Sequence, residues 1–175
     1  MYPVIRMIKA LVKGHRHPVG FLDTMVSEHI AWPWDIDPWK DLNNGRTLTL
    51  FDLGRIALAQ GCGLNATLRR KRWGIVVAGN TTRYRRRITM LQRFQMRTRL
   101  IGWDARFVYM EQAMWRGDEC CNHVLIRGAV TSRKGIVPPA EVAAAMGHTG
   151  PSPELPDWVG HWIAADHERP WPPAV

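Results

Sequence analysis

Asp35-Ile36-Asp37-Pro38-Trp39-Lys40-Asp41-Leu42-Asn43-Asn44-Gly45-Arg46 runs without a break into residues 47–60, and the change of character between the two decides the fold. The first stretch is too polar and turn-prone for a strand interior. In the second, Leu48, Leu50, Phe51, Leu53, Ile56, Ala57 and Leu58 leave hardly any polar side, and a helix that is apolar nearly all round is a buried helix. Asn43 or Asn44 caps its start by offering a side-chain oxygen to the first free N–H groups, and Gly61 and Gly63 stop it. Gly54, in the middle, weakens a helix relative to Ala and so points to close approach of a neighbouring backbone.

Downstream the period changes to two. Residues 74–87, 94–103, 106–116 and 119–133 read as long strands, with turns at Gly102-Trp103-Asp104 and at the tight hairpin Arg116-Gly117-Asp118. Strands joined this closely are antiparallel neighbours. Phe94, Met96, Thr98 and Leu100 alternate with Gln95, Arg97, Arg99 and Ile101, which predicts a sheet covered on its apolar face only, by the buried helix.

Upstream, residues 15–24 read as a loop and residues 25–34 as a strand. The first 14 residues form a short amphipathic helix whose stripe of Ile5, Ile8 and Val12, or Val4, Ile8 and Leu11, is expected to dock on the domain itself. The alternative, with Arg6, Lys9 and Lys13 on another face, is peripheral contact with an acidic membrane surface. Residues 138–146 form a short helix begun by prolines, and a proline-rich linker at 151–156 leads to a last helix bearing Trp158, Trp162 and Ile163. The expected organisation is one domain, 1–175, with an N-terminal arm (1–24), a core (25–146) and a C-terminal linker and helix (147–175).

Composition narrows the class. A chain of 175 residues with 46% hydrophobic content and 9 Trp builds a real core, which excludes a disordered chain and a disulfide-stapled miniprotein. The 3 cysteines are odd in number and Cys120 and Cys121 are sequence neighbours, so the compartment is read as reducing and cytoplasmic. No run approaches the roughly 20 apolar residues of a membrane span. The formal charge of +9 raises nucleic acid, yet Arg69-Arg70-Lys71-Arg72, Arg83 with Arg85-Arg86-Arg87, and Arg93, Arg97 and Arg99 match no finger, homeodomain or aromatic RNA-binding motif. Such runs serve equally as solvated faces or as partners for the phosphates of a nucleotide-tailed substrate such as coenzyme A.

The run from Asp35 to Asn44 resembles the D-x-D-x-x-G-H-x-N-N signature of the 4-hydroxybenzoyl-CoA thioesterase-like group of hot-dog acyl-CoA thioesterases. Tyr84-Arg85-Arg86-Arg87, Arg99-Leu100-Ile101-Gly102-Trp103-Asp104, Phe107-Val108-Tyr109-Met110-Glu111, and Pro153-Glu154-Leu155-Pro156 followed by Trp162 look like the subset related to the mammalian thioesterase superfamily member six. The resemblance implies an α+β hot-dog fold, a long curved antiparallel sheet wrapped around one central apolar helix, with short terminal helices. It implies that Asp37 acts on the thioester as nucleophile or as general base for water, while the backbone N–H near Asn44 polarises the carbonyl. A helix N-terminus suits that task, because it offers unpaired N–H groups and partial positive charge to an oxyanion. Asn43, Trp39 and the cluster Arg85, Arg86 and Arg87 are the expected substrate contacts, the arginines for coenzyme A phosphates. The expected substrate is an acyl-CoA, or an acyl carrier protein thioester, handled by a homodimer or a dimer of dimers without a cofactor.

The chain departs from that pattern where Lys40-Asp41 stands for Gly-His, which places a third carboxylate, Asp41, in the site. If Asp41 points at Asp37, mutual repulsion raises one ionisation and Lys40 opposes it. Asp35, Asp37 and Asp41 also suit plain turn and capping duty. They do not form a calcium loop, since Lys40 stands where Gly is required and no Glu follows before Gly54. His123 reads as a satisfied core or edge histidine, and Trp32, Trp34 and Trp39 as packing for sheet and loop, or as lining of an acyl pocket. Three functions stand in order: acyl-CoA thioesterase, non-catalytic acyl-CoA or lipid-binding protein, and a nucleic-acid binder supported by charge alone.

Overall fold

The computed structural model describes residues 2–173. In chain order the elements are α1 (Val4–Arg16), β1 (Met25–Ile30), a single 3-10 turn (Pro33–Asp35), α2 (Asn44–Gly61), α3 (Leu64–Lys71), β2 (Gly74–Tyr84), β3 (Arg93–Trp103), β4 (Val108–Arg116), β5 (Glu119–Ser132), β6 (Gly135–Val137), α4 (Pro139–Ala145) and α5 (Asp157–Glu168). The sheet is antiparallel, ordered β1-β3-β4-β5-β2, with the short β6 on β5. It curls around α2, the α+β architecture expected from the sequence.

Period-two alternation turns Met25, Phe94, Met96, Met110, Met114, Val124 and Ile126 inward, where they form one cluster with Leu50, Phe51, Leu53, Ala57 and Leu58 of α2. A Cβ on Gly54 would lie 2.4 Å from Met96 Sδ and 2.6 Å from Thr98 Oγ1, so helix and sheet meet there without room for a methyl group. A polar seam runs beside this contact. The buried Gln112 amide donates to the Phe51 carbonyl (2.8 Å) and Thr98 Oγ1 (2.9 Å), and its oxygen accepts from Arg55 Nη1 at 2.6 Å.

The structure corrects several expectations. The outer face of the sheet is also covered in part, because α5 and its linker pack Leu155, Val159, Trp162 and Ile163 on Ile101, Tyr109 and Leu125, with Arg127 Nη2 bonded to Asp166 Oδ2 at 2.6 Å. β1 ends at Ile30, since Pro33 has no N–H for a ladder and Asp35 instead accepts the Trp32 N–H at 3.0 Å. β3 reaches Trp103 as expected, with a bulge between Leu100 and Gly102, but the turn placed at 102–104 starts only at Asp104, which accepts the N–H groups of Arg106 and Phe107, both at 2.7 Å. Helix α3 and strand β6 are too short to leave a clear period and were not expected.

Helix α1 docks, but not by its aliphatic stripe. Its inward side is Ala10 and Gly14, and a Cβ on Gly14 would lie 2.3 Å from the Ala57 carbonyl oxygen, so α1 and α2 touch backbone to backbone. The tryptophans also differ from expectation: Trp34 and Trp39 are 65% and 77% exposed, and Trp32 stacks on Trp34 with ring centroids 5.4 Å apart. No described helix is long and apolar enough to cross a membrane.

Candidate active site

The loop between β1 and α2 is held from several sides. Asp35 is fully buried, with Oδ2 2.6 Å from Arg6 Nη2, and with Oδ1 accepting from Arg46 Nε (3.1 Å) and Nη2 (2.9 Å). Its carbonyl accepts the Asn43 N–H at 2.9 Å, which fixes the start of α2. Between these points the chain makes a tight reversal: Asp37 N–H donates to the Asp41 carbonyl at 2.8 Å, Lys40 N–H to the Asp37 carbonyl at 3.0 Å, and Lys40 takes the left-handed conformation at φ 64°.

Asp37 sits half-buried in this reversal. Its Oδ1 accepts the N–H groups of Trp39 (2.9 Å) and Asp41 (3.1 Å), while Oδ2 has no hydrogen-bond partner among the described residues. One oxygen therefore fixes the carboxylate and the other is free for chemistry. Asn43 Oδ1 caps α2 by accepting from Gly45 N (2.9 Å) and Arg46 N (3.2 Å). Asn44 is the first helical residue, exposed, and its N–H has no acceptor among the described residues. Free carboxylate oxygen and free helix N–H thus stand at the same end of α2.

Asp41 is occupied differently. Its Oδ1 accepts from Leu42 N (2.8 Å) and Ile88 N (3.1 Å), and its Oδ2 is 3.4 Å from Arg87 Nε. Contact with Asp37 runs through the Asp41 backbone rather than between the two carboxylates. Arg87 also donates to the Trp39 carbonyl, and Leu42 N–H donates to the Ile88 carbonyl at 2.9 Å, so the loop is laced to the segment that follows β2. Arg86 pairs with Glu119 at 2.9 Å. The exposed Arg85 side chain has no partner among the described residues.

A separate apolar cavity of about 250 Å³ lies between α2 and strands β2, β4 and β5, walled by residues such as Ile56, Ile75, Val77, Met110, Val130 and Val142. Asp52 and Arg55, bonded to each other, are the charged residues in its wall, and burial lowers the Arg55 ionisation from its ordinary value. Neither Asp37, Asn44 nor the three arginines line it. Sequence reading missed this pair, although two charges three residues apart in an apolar helix were a visible signal. It also missed the two arginines that hold Asp35.

Of the other ionisable groups, Cys121 lies against the segment after β2, its carbonyl accepting the N–H groups of Arg85 (2.9 Å) and Arg86 (3.1 Å). His123 Nε2 is 3.0 Å from Glu111 Oε1, and that bond, reinforced by Arg99, holds the Glu111 carboxyl down to about 2. Burial pushes the thiols of Cys62, Cys120 and Cys121 up, away from the thiolate form a nucleophile needs. No cluster of His, Cys, Asp and Glu among the described residues is arranged to hold a metal ion.

Residues 31–163 match the family model of the thioesterase-like superfamily, and the chain belongs to that family. It is 30% identical over 166 residues to Protein THEM6 of Xenopus laevis, which covers 91% of this chain and 77% of the relative. Among solved structures it is similar to the YbaW probable thioesterase from Escherichia coli, with a TM-score of 0.65 and 14% identity over 70% of this chain and 96% of the other. It is likewise similar to the DHNA-CoA thioesterase from Staphylococcus aureus, with a TM-score of 0.60 and 11% identity over 82% and 91%. These structural likenesses establish the hot-dog fold.

Proposed function

We propose that the protein hydrolyses acyl-CoA thioesters. The observation that carries this is the pairing, at one end of α2, of a carboxylate oxygen without a partner on Asp37 and a helix N–H without an acceptor on Asn44, in a member of a thioesterase-like family. Asp37 either attacks the thioester carbonyl or takes a proton from the attacking water. The carbonyl oxygen gains negative charge and is met by the Asn44 N–H and the positive end of the helix. The carbon–sulfur bond then breaks, and the coenzyme A thiolate leaves and takes up a proton. Attack by water gives the carboxylic acid directly, whereas attack by Asp37 leaves an acyl–Asp37 anhydride that a water hydrolyses to the acid and the free carboxylate. Arg85 offers a free charge for the nucleotide phosphates, beside Arg86 and Arg87, whose charges are shared with Glu119 and Asp41. Asn43 keeps the helix start in place, and the exposed Trp39 gives the substrate an apolar surface beside Asp37.

The acting unit in this reading is a homodimer. β2 is an outer strand paired only with β5, and Ile75, Val76 and Val77 are 42%, 51% and 52% exposed on it. Residues 74–82 of β2 carry no charge, and an uncharged edge with exposed aliphatic side chains is a template for another strand. Antiparallel pairing of two β2 strands would set the Tyr84 end of one copy, followed by Arg85–Arg87 and the laced loop, against the Gly74–Val77 end of the other, which walls the apolar cavity. Each site would then combine one copy's Asp37 with the other's acyl pocket.

Release of free thiol from short-, medium-, long-chain and aryl acyl-CoAs tests the reading. Wild type should turn over at least one of them, and Asp37→Asn, which keeps the Oδ1 acceptor, should lose about 10²–10⁴ of the rate while remaining folded. Binding without turnover by wild type would replace this reading with an acyl-CoA-binding protein, which the Lys40-Asp41 departure favours as the second reading.

A further inference from the structure

The face of α1 turned to solvent is the apolar one. Val4, Ile5, Ile8 and Val12 are 53%, 75%, 53% and 43% exposed, while the small residues Ala10 and Gly14 make the contact with α2. At the helical turn per residue these four aliphatics span one arc of about 100°, with Arg16 and Lys9 within about 40° of its edge and Lys13 about 80° beyond it. Past the C-terminal end of the arc, Val12, His15 and Arg16 open onto a concavity shared with Arg69 and Arg72 of the α3 end. None of Lys9, Lys13, Arg16, Arg69 and Arg72 has an ion-pair partner among the described residues. Of the carboxylates around α1, Glu28 stands across the groove between α1 and β1 and is bonded to Gln95, while Asp35 and Asp52 are paired with Arg6 and Arg55.

We propose that this face is a peripheral membrane-binding surface selective for anionic lipid. The arc of Val4, Ile5, Ile8 and Val12 enters the boundary between headgroups and acyl chains, and the five unpaired cations, from two separate elements, meet the anionic headgroups. The charge pattern selects this occupant. A second copy would bring five like charges against five, and nucleic acid would leave four aliphatic side chains without a contact. The surface is independent of thioester hydrolysis, since none of its residues belongs to the Asp37–Asn44 site.

The full chain is sedimented at low salt with vesicles of phosphatidylcholine alone, and with vesicles containing about one-third phosphatidylglycerol. Wild type should pellet with the anionic vesicles, bind the neutral ones about tenfold more weakly or worse, and be released by high salt. Ile5→Glu/Ile8→Glu should stay in the supernatant, with unchanged thermal melting because both positions are exposed. Lys9→Gln/Lys13→Gln/Arg16→Gln should lose the preference for anionic vesicles. Wild type in the supernatant with both vesicles, or the double glutamate variant pelleting like wild type, overturns the proposal. So does a change of oligomeric state in the double variant, which would assign the face to another copy of the chain.

Discussion

The Arg6 guanidinium lies 2.6 Å from the carboxylate of Asp35, which has no solvent exposure, and Arg46 holds the other oxygen at 2.9 Å. One buried anion therefore ties α1, the loop carrying Asp37 and the first turn of α2 together. A buried pair adds little over an apolar substitute, yet removing one partner leaves charge uncompensated in a poorly solvated place. Arg6 Nη1 already has no partner among the described residues.

Asp35→Asn should accordingly destabilise the fold by about 3–5 kcal/mol, because two guanidinium groups would face a neutral amide. Urea unfolding followed by circular dichroism reads this directly. A loss below about 1 kcal/mol would mean that Asp35 behaves as an ordinary turn residue, in line with its reading from sequence alone.

Gly54→Ala isolates packing from helix propensity. Ala favours a helix by about 1 kcal/mol over Gly, but the new Cβ would meet Met96 Sδ at 2.4 Å, Thr98 Oγ1 at 2.6 Å and Gln112 Nε2 at 2.9 Å. The methionine can swing away, whereas Gln112 is held by its bonds to Thr98 Oγ1 and to the Phe51 carbonyl. A net loss of about 1–3 kcal/mol is expected. A higher melting temperature in Gly54→Ala would show that the sheet yields.

These two positions mark where the sequence was legible. Gly54 was readable because a helix otherwise free of breakers gives an isolated glycine one explanation, and the period-two runs placed the four long strands for the same reason: a repeated pattern averages out single residues. Asp35 was not, since its partners Arg6 and Arg46 lie 29 and 11 residues away and only the fold brings them to it. The face by which α1 docks was misread because a hydrophobic stripe marks a face that avoids water without saying what covers it. Of the candidate site, local order supplied the cap at Asn43, while Asp37 and the Asn44 N–H were implied by the resemblance of residues 35–44 to a family signature. The lacing of Asp41 to Ile88 and Arg87 depends on a strand end more than forty residues away.

His29 predicts a pH dependence. Burial first, and the charge of Arg6 second, push its ionisation down to about 4, and the ring stacks on Phe94 with Nε2 2.8 Å from Ser27 Oγ. The folded state keeps it neutral while the unfolded chain protonates it below about 6.5, so between those values the unfolded state binds more protons. Stability should be full above pH 6.5 and fall as pH drops to 4, by at most about 1.4 kcal/mol per pH unit. The Glu111 contribution, lost between about 4.5 and 2, begins only below most of this window. Thermal melts from pH 7 to 4.5 should show the decline in wild type and a flatter profile in His29→Gln, and equal slopes would remove His29 as the cause.

The exposed edge of β2 sets the last expectation, which joins assembly to activity. Ala78→Lys/Asn80→Lys places two charges at exposed positions of β2 outside the cavity wall, on a strand whose free edge offers unpaired backbone groups. Charged edge residues disfavour strand addition without unfolding the strand they stand on. If β2 pairs with β2 of another copy, wild type should sediment as a dimer and the lysine variant as a monomer at the same concentration. Thioester hydrolysis should fall with the dimer fraction, because one copy's Asp37 and Asn44 stand apart from its own cavity between α2 and strands β2, β4 and β5. Mixing Asp37→Asn with a variant that fills the cavity, Val130→Trp, gives the sharper readout. Mixed dimers built on shared sites should regain about one intact site in two, whereas sites complete within one chain would regain none. A wild-type chain that is monomeric and fully active would remove the edge from the mechanism and leave the cavity to be reached within a single copy.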